Sequence, residues 1–228
     1  MYITRSELAA LIDHTLLRPD AVTDDIVRLC VEAKLYGFVS VCVNPCYVST
    51  ASKELAGSPV RVCSVVGFPL GASTPPIKAL EAAEAVRNGA DELDVVINIG
   101  FLKGGLPERV KSDLAGVVAS ARAENQNTII KVILETCLLT GSEKIKACRL
   151  AIEAGADFVK TSTGWGKSGA TVTDVALLKQ IVGNSSGVKA SGGIRDLTAV
   201  IDMLKAGAAR IGTSSGPAII NELQEKIL

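Results

Sequence analysis

Two strands of this chain end on a lysine. Asp157-Phe158-Val159-Lys160-Thr161-Ser162-Thr163-Gly164 runs a short apolar pair into a lysine, three hydroxyl residues and a glycine. Gly187-Val188-Lys189-Ala190-Ser191 places a second lysine one unit later and runs into Gly192-Gly193. Such a lysine either reaches solvent on its long stem or sits desolvated in a pocket. Desolvation and a second ammonium nearby both disfavour protonation. A neutral lysine attacks aldehydes and ketones, and the iminium that forms is an electron sink for breaking a neighbouring carbon–carbon bond. Asp94, within Glu92-Leu93-Asp94-Val95-Val96-Ile97-Asn98, would balance the second cation and relay protons. Strand interiors rarely hold charges without a use, so two lysines and an aspartate together favour the pocket.

Gly192-Gly193 and Gly212-Thr213-Ser214-Ser215-Gly216 are a second signal. Glycines let backbone N–H groups approach a ligand, serines add hydroxyl donors, and a following helix N-terminus favours an anion. The plain alternative is two turns; at the ends of two successive strands, phosphate binding is the stronger reading.

Other residues read more plainly. Gly166-Lys167-Ser168 resembles the end of a phosphate-binding P-loop, but position 161 is Thr where that loop needs Gly. The chain reads as lacking a Gly-x-Gly-x-x-Gly turn, which argues against a dinucleotide, and no cofactor or metal is expected. His14 is the only histidine, so histidine-rich zinc sites and a histidine-based triad are poorly supported; it reads as structural or as a hydrogen-bond partner. Cys42 faces inward by parity and reads as packing. Lys131 and Glu135 are candidates for a supporting ion pair.

The elements that must position these groups alternate along the chain. Thr4-Arg5-Ser6-Glu7 has the capping-box pattern of a short N-terminal helix. Ile26, Leu29, Cys30 and Ala33 share one helical face, and Gly37 supplies a stop. Thr74 caps a helix with Pro75 at its first position. A loop holding Gly100, Gly104 and Gly105 precedes a helix from Pro107 to Glu124. Asn88-Gly89-Ala90-Asp91, Ala154-Gly155-Ala156-Asp157 and Ala206-Gly207-Ala208-Ala209 echo one another, each joining a helix end to a strand. Strands apolar on both faces, such as Val95-Val96-Ile97, indicate a parallel sheet covered by helices. Eight such units predict one (β/α)8 barrel domain over residues 1–228, with a doubly wound open sheet as the alternative. The active site then lies at the C-terminal strand ends, where Asp13, Thr15, Cys42, Asn44, Asp94, Asn98, Lys131, Glu135, Lys160, Lys189 and Thr213 gather.

Composition sets the partners. Lysine plus arginine and aspartate plus glutamate each total 24, so no global basic field attracts nucleic acid or anionic membrane. The opening Met1–Glu7 lacks the apolar core of a signal peptide, and no apolar run has membrane-spanning length. Six scattered cysteines without a Cys-x-x-Cys pair read as reduced thiols in the cytoplasm.

Taken together, the segments around Asp94, Lys160 and Lys189 resemble the deoxyribose-phosphate aldolase family, from Leu11-Ile12-Asp13-His14-Thr15 to Ile211-Gly212-Thr213-Ser214-Ser215. The resemblance implies a class I aldolase that cleaves 2-deoxyribose 5-phosphate to acetaldehyde and glyceraldehyde 3-phosphate. It assigns the Schiff base to Lys160, perturbation of that lysine to Lys189 and the proton relay to Asp94. It assigns phosphate contacts to Gly192, Gly193, Ser214 and Ser215, and places Thr163 in the substrate-lining segment. A homodimer or homotetramer is expected. Two departures stand out. Some members end in a tyrosine that assists proton transfer, whereas this chain ends Glu222-Leu223-Gln224-Glu225-Lys226-Ile227-Leu228. Some members place a lysine after Lys-Thr-Ser-Thr-Gly, where this chain has Trp165. Competing readings are another phosphosugar aldolase or isomerase, metal-dependent or not, and a non-catalytic sensor of a phosphorylated metabolite.

Overall fold

The computed structural model describes residues 2–225, so the last three residues of the tyrosine-free tail lie outside the described residues. Eight parallel strands pair in sequence order and β1 closes onto β8. They are β1 Ile12–Leu16, β2 Ser40–Val43, β3 Arg61–Val66, β4 Glu92–Val96, β5 Ile129–Ile133, β6 Phe158–Lys160, β7 Gly187–Ser191 and β8 Arg210–Thr213. The closed barrel is the one predicted, and it removes the open-sheet alternative.

Among the described residues ten α-helices accompany the strands: α1 Arg5–Ala9, α2 Thr23–Tyr36, α3 Val48–Glu54, α4 Pro75–Arg87, α5 Ile99–Lys103, α6 Pro107–Glu124, α7 Gly141–Glu153, α8 Val172–Val182, α9 Leu197–Lys205 and α10 Gly216–Glu225. Most follow from their sequences. Thr4 and Glu7 close the capping box on α1. The apolar face of α2 buries Ile26, Leu29, Cys30 and Ala33, and Gly37 ends the helix at φ 73°. At its start Val22 occupies the cap position, and the Asp25 carboxylate accepts from the Val22 amide. The glycine-rich stretch after β4 is also more regular than expected. Asn98 accepts from the Phe101 amide and starts the one-turn helix α5.

The internal echo has a structural use. Gly89, Gly155 and Gly207 all take positive φ, so the chain reverses at each point without a Cβ penalty. The aspartates that follow then tie neighbouring strands: Asp91 accepts from the Val62 amide and Asp157 from the Ile130 amide.

Most of the apolar core lies between the barrel and its helices. The barrel interior differs. Its apolar part is a small cluster of Cys42, Cys63 and Val65 with Leu17 and Phe68. Asp13, Glu92, Asp94, Lys131, Lys160, Lys189 and Arg210 take up interior positions that branched apolar residues usually fill. No helix among the described residues is long and apolar enough to cross a membrane.

Candidate active site

Strand register decides which charges meet. Asp94 pairs with Lys131, and Lys131 pairs with Phe158. Lys160 therefore stands two residues nearer the C-terminal mouth than Lys131, beside Lys189. Gly212 makes room for Lys189: a Cβ there would lie 3.0 Å from the Lys189 Cε and 3.0 Å from the Ser191 Cβ.

Asp94 is the hub. Its Oδ2 accepts from the Nζ of Lys160 and of Lys189, each at 2.7 Å. Its Oδ1 accepts from Lys131 at 2.8 Å. Lys189 also meets Asp13 Oδ2 at 2.5 Å, and Lys131 meets Glu92 Oε2 at 2.7 Å. Arg210 links the two outer acids, pairing with Asp13 Oδ1 and with Glu92 Oε1 at 2.6 Å. The cluster is closed off from water.

Ionisation follows from these contacts. Burial would raise the Asp94 pKa, but Lys131, Lys160 and Lys189 outweigh it and hold the carboxyl well below its usual range. Burial likewise opposes ionised Asp13, yet Lys189, Lys131 and Arg210 bring it down to about 2. Burial works against protonated Lys189, but Asp13 and Asp94 prevail and hold its pKa above that of an ordinary lysine. Lys131 behaves the same way, with Asp94 the strongest anion against burial.

Four buried bases, Lys131, Lys160, Lys189 and Arg210, and the half-exposed Arg61 thus face three acids, Asp13, Glu92 and Asp94. Lys131 and Lys189 each face more than one carboxylate, whereas Lys160 meets one carboxylate oxygen and shares it. Lys189 was expected to act on Lys160 by direct repulsion. The geometry adds competition for one carboxylate oxygen.

Lys160 opens into a cavity of about 390 Å³ at the C-terminal mouth. Its walls are Thr15 to Arg18, Thr163 to Trp165, Ser191 to Arg195 and Gly212 to Ser214. Gly192 and Gly193 both have positive φ, at 86° and 78°. Gly169 packs on this turn so closely that a Cβ would fall 2.0 Å from the Gly192 carbonyl oxygen. The Ala170 amide donates to the carbonyls of Ser191 and Gly192, at 3.0 Å each. The arrangement gives an amine on the floor, backbone and hydroxyl donors on one wall, and two arginines, Arg18 and Arg195, at the sides.

The structure thus brings Lys160, Thr163, Gly192, Gly193 and Ser214 to one cavity, with Asp94 and Lys189 directly beneath. Ser215 is not among the lining residues, and its amide is committed to the Thr213 hydroxyl at 3.0 Å. The expected Lys131–Glu135 pair does not form. Lys131 is taken by Glu92 and Asp94, and Glu135 instead accepts from Thr163. His14 points away from the cluster, with its Nε2 2.7 Å from Glu32. Cys42 faces inward as parity required.

Sequence reasoning passed over several features. Glu92 and Arg210 share the face of Asp94 and Gly212 by strand alternation, which was a usable signal. Arg18 lies just beyond β1 and carried none. Gly164-Trp165-Gly166-Lys167-Ser168-Gly169 also has the bare Gly-x-Gly-x-x-Gly spacing of a dinucleotide turn. Its glycines serve loop packing: Gly166 lies against Cys137 and Glu135, Gly169 against Gly192, and α8 starts only at Val172.

Cys42, Cys63 and Asp94 could in principle ligate a metal, with donor atoms within 4.8 Å of one another. The donor set does not fit. Three lysines already occupy the Asp94 oxygens, and the Lys131 Nζ lies 3.3 Å from the Cys63 sulfur. A divalent cation would have to displace them.

A closed barrel with a buried amine at the floor of a mouth-end cavity defines an enzyme acting on small molecules at its strand ends. The particular family is given by the relatives. Residues 8–222 match the model of the DeoC/LacD family aldolases. A deoxyribose-phosphate aldolase of Carboxydothermus hydrogenoformans is 55% identical over 97% of each chain. One from Enterococcus faecalis is 53% identical over 94% of this chain and 96% of its own. A tetrameric deoxyribose phosphate aldolase from Aeropyrum pernix superposes with a TM-score of 0.91 at 36% identity, over 98% of this chain and 94% of its own. The chain belongs to the DeoC/LacD family of aldolases, which are carbon–carbon lyases.

Proposed function

We propose that this aldolase reversibly cleaves 2-deoxy-D-ribose 5-phosphate to D-glyceraldehyde 3-phosphate and acetaldehyde through a Schiff base on Lys160. The observation that carries the reading is the Lys160 amine, sharing one Asp94 oxygen at the floor of the cavity. The names of its relatives support the substrate.

The steps follow from the site. The neutral Lys160 amine adds to the C1 carbonyl of the open-chain sugar, and loss of water leaves an iminium. A base removes the 3-hydroxyl proton, the C2–C3 bond breaks, and its electrons pass into the iminium to form an enamine. Glyceraldehyde 3-phosphate departs. Protonation of the enamine and hydrolysis release acetaldehyde and restore the amine. Asp94, with Lys189 and water, moves the protons. Asp94 rests as a carboxylate, so it serves as a conduit between ammonium groups. Gly192, Gly193, Ser214 and Arg195 bind the phosphate on the wall above, and Ser215 supports that loop through its amide.

A homo-oligomer, dimer or tetramer, is supported by the tetramer of the Aeropyrum relative. A cytoplasmic location is the expectation for six scattered cysteines without a disulfide among the described residues. Borohydride reduction in the presence of acetaldehyde, followed by peptide mapping, tests the mechanism. The ethyl adduct is expected on Lys160, and Lys160→Leu should lose activity by about 10³-fold or more while staying folded. An adduct on any other lysine would sink the reading. Full activity in EDTA would separate it from a metal-dependent aldolase, and turnover in a coupled glyceraldehyde 3-phosphate assay from a sensor.

A further inference from the structure

Glu135, just past β5, is the only non-glycine residue with positive φ among the described residues, at φ 54° and ψ 64°. That conformation is strained for a side chain with a Cβ, and such strain persists only where the surroundings hold it. Two rungs of backbone pairing do so. The Leu134 amide donates to the Lys160 carbonyl and the Thr136 amide to the Thr161 carbonyl, each at 2.9 Å. The carboxylate is buried, and no cation pairs with it among the described residues. Its Oε2 accepts instead from the Thr163 amide at 3.3 Å and from the Thr163 hydroxyl. The Thr163 hydroxyl in turn accepts from the Trp165 amide at 3.0 Å. Behind it, a Cβ on Gly166 would lie 3.0 Å from Glu135 Oε1 and 2.8 Å from the Cys137 sulfur, so the loop closes on the carboxylate.

We infer that Glu135 is a positioning residue that turns the Thr163 hydroxyl into an acceptor-only contact for a hydroxyl of the substrate. A hydroxyl has one proton and two lone pairs. The Thr163 proton is committed to Glu135 and one lone pair to Trp165. One lone pair remains, which accepts a hydrogen bond from a substrate hydroxyl and repels a carbonyl or phosphate oxygen. Thr163 lines the same cavity as Lys160, so the site selects aldehydes that carry a hydroxyl on the carbon chain. The strained backbone at 135 aims the carboxylate, and the loop glycines leave it room.

This inference rests on the retro-aldol reading above, and one experiment separates the two. Wild type, Glu135→Ala, Glu135→Gln and Thr163→Val are compared for borohydride trapping of acetaldehyde and for cleavage of 2-deoxyribose 5-phosphate. Acetaldehyde has no hydroxyl, so trapping is expected to stay within about threefold of wild type in all variants. Cleavage is expected to fall about 10²-fold in kcat/KM for Glu135→Ala and Thr163→Val, as for a misplaced contact group. Glu135→Gln should recover most of it, because an amide oxygen accepts both Thr163 hydrogens. If Glu135→Ala fails to fold, Thr163→Val and Glu135→Gln still decide the matter. Equal loss of trapping and cleavage, unchanged cleavage in Thr163→Val, or a Glu135→Gln no better than Glu135→Ala would overturn the inference. Absence of trapping in the wild type would overturn the retro-aldol reading and this inference with it.

Discussion

Lys160 and Lys189 stand side by side in the β6–β7 register and donate to the same oxygen, Asp94 Oδ2, at 2.7 Å each. Neither can hold that oxygen alone. Asp13 gives Lys189 a second anion at 2.5 Å, and Lys160 has no equivalent among the described ion pairs. One carboxylate oxygen thus serves both amines, and only Lys189 has a second anion to hold it.

Removing the competitor should show this. In Lys189→Leu the Asp94 oxygen is left to Lys160 alone. The acid limb of the pH–rate profile is expected to move to higher pH, with kcat reduced about 10²-fold through the lost proton relay. An unchanged profile would place the role of Lys189 elsewhere.

Arg18 lines the cavity with its side chain 54% exposed, tied to Asp20 and Asp25 at 3.1 Å. Surface pairs of this kind hold weakly, so the guanidinium is free to turn toward a phosphate. Arg18→Gln is expected to raise KM for 2-deoxyribose 5-phosphate about tenfold, the worth of one charge-assisted hydrogen bond. With unphosphorylated 2-deoxyribose the variant and wild type should match. A KM change shared by both substrates would show that Arg18 shapes the rim only.

Asp13 makes an acid-range prediction. Its folded pKa of about 2 lies below the ordinary 3.8, so the unfolded chain binds the proton more tightly. The carboxylate's stabilisation is then complete above pH 4 and is lost as pH falls toward 2, a change of about 2 kcal/mol. Asp13→Asn should be less stable at pH 6 by about 3–5 kcal/mol, since it leaves Lys189 and Arg210 short of an anion. Denaturant melts between pH 6 and pH 2 should show that gap narrowing. A gap constant with pH would mean that Asp13 is not the anion of this cluster.

Gly212 offers a steric test. In Gly212→Ala the new methyl meets Lys189 Cε and Ser191 Cβ at 3.0 Å, tighter than ordinary contact. A stability loss of about 1–2 kcal/mol is expected from overpacking. Activity should fall by about tenfold or more, because displacing Lys189 disturbs Asp94. Thermal melts and kcat read the two effects separately, and wild-type kcat would show that Lys189 has slack.

Local signals carried much of this. The capping box at Thr4, the apolar face of α2 and the strand runs followed from spacing alone, because caps and amphipathic faces are decided within a few residues. The alternation of helices and apolar strands implied the barrel, and chemistry pointed to Lys160, Lys189 and Asp94. Side-chain direction past a strand end was less legible. Lys131 and Glu135 are four residues apart and looked like partners, yet the chain turns to positive φ at Glu135 and sends the carboxylate to Thr163.

The sequence by itself determined that two lysines and an aspartate end up inside one parallel barrel, since strand period and order place them there. Only the tertiary structure decided how they share charge. The stagger around the closed barrel sets Lys131 level with Phe158 and Lys160 level with Lys189. That stagger puts three lysine side chains on one carboxylate and joins Glu92, Asp13 and Arg210 into the same cluster. Coulombic pairing depends on distances of a few ångströms between residues up to 197 positions apart, and no local pattern in a chain encodes those.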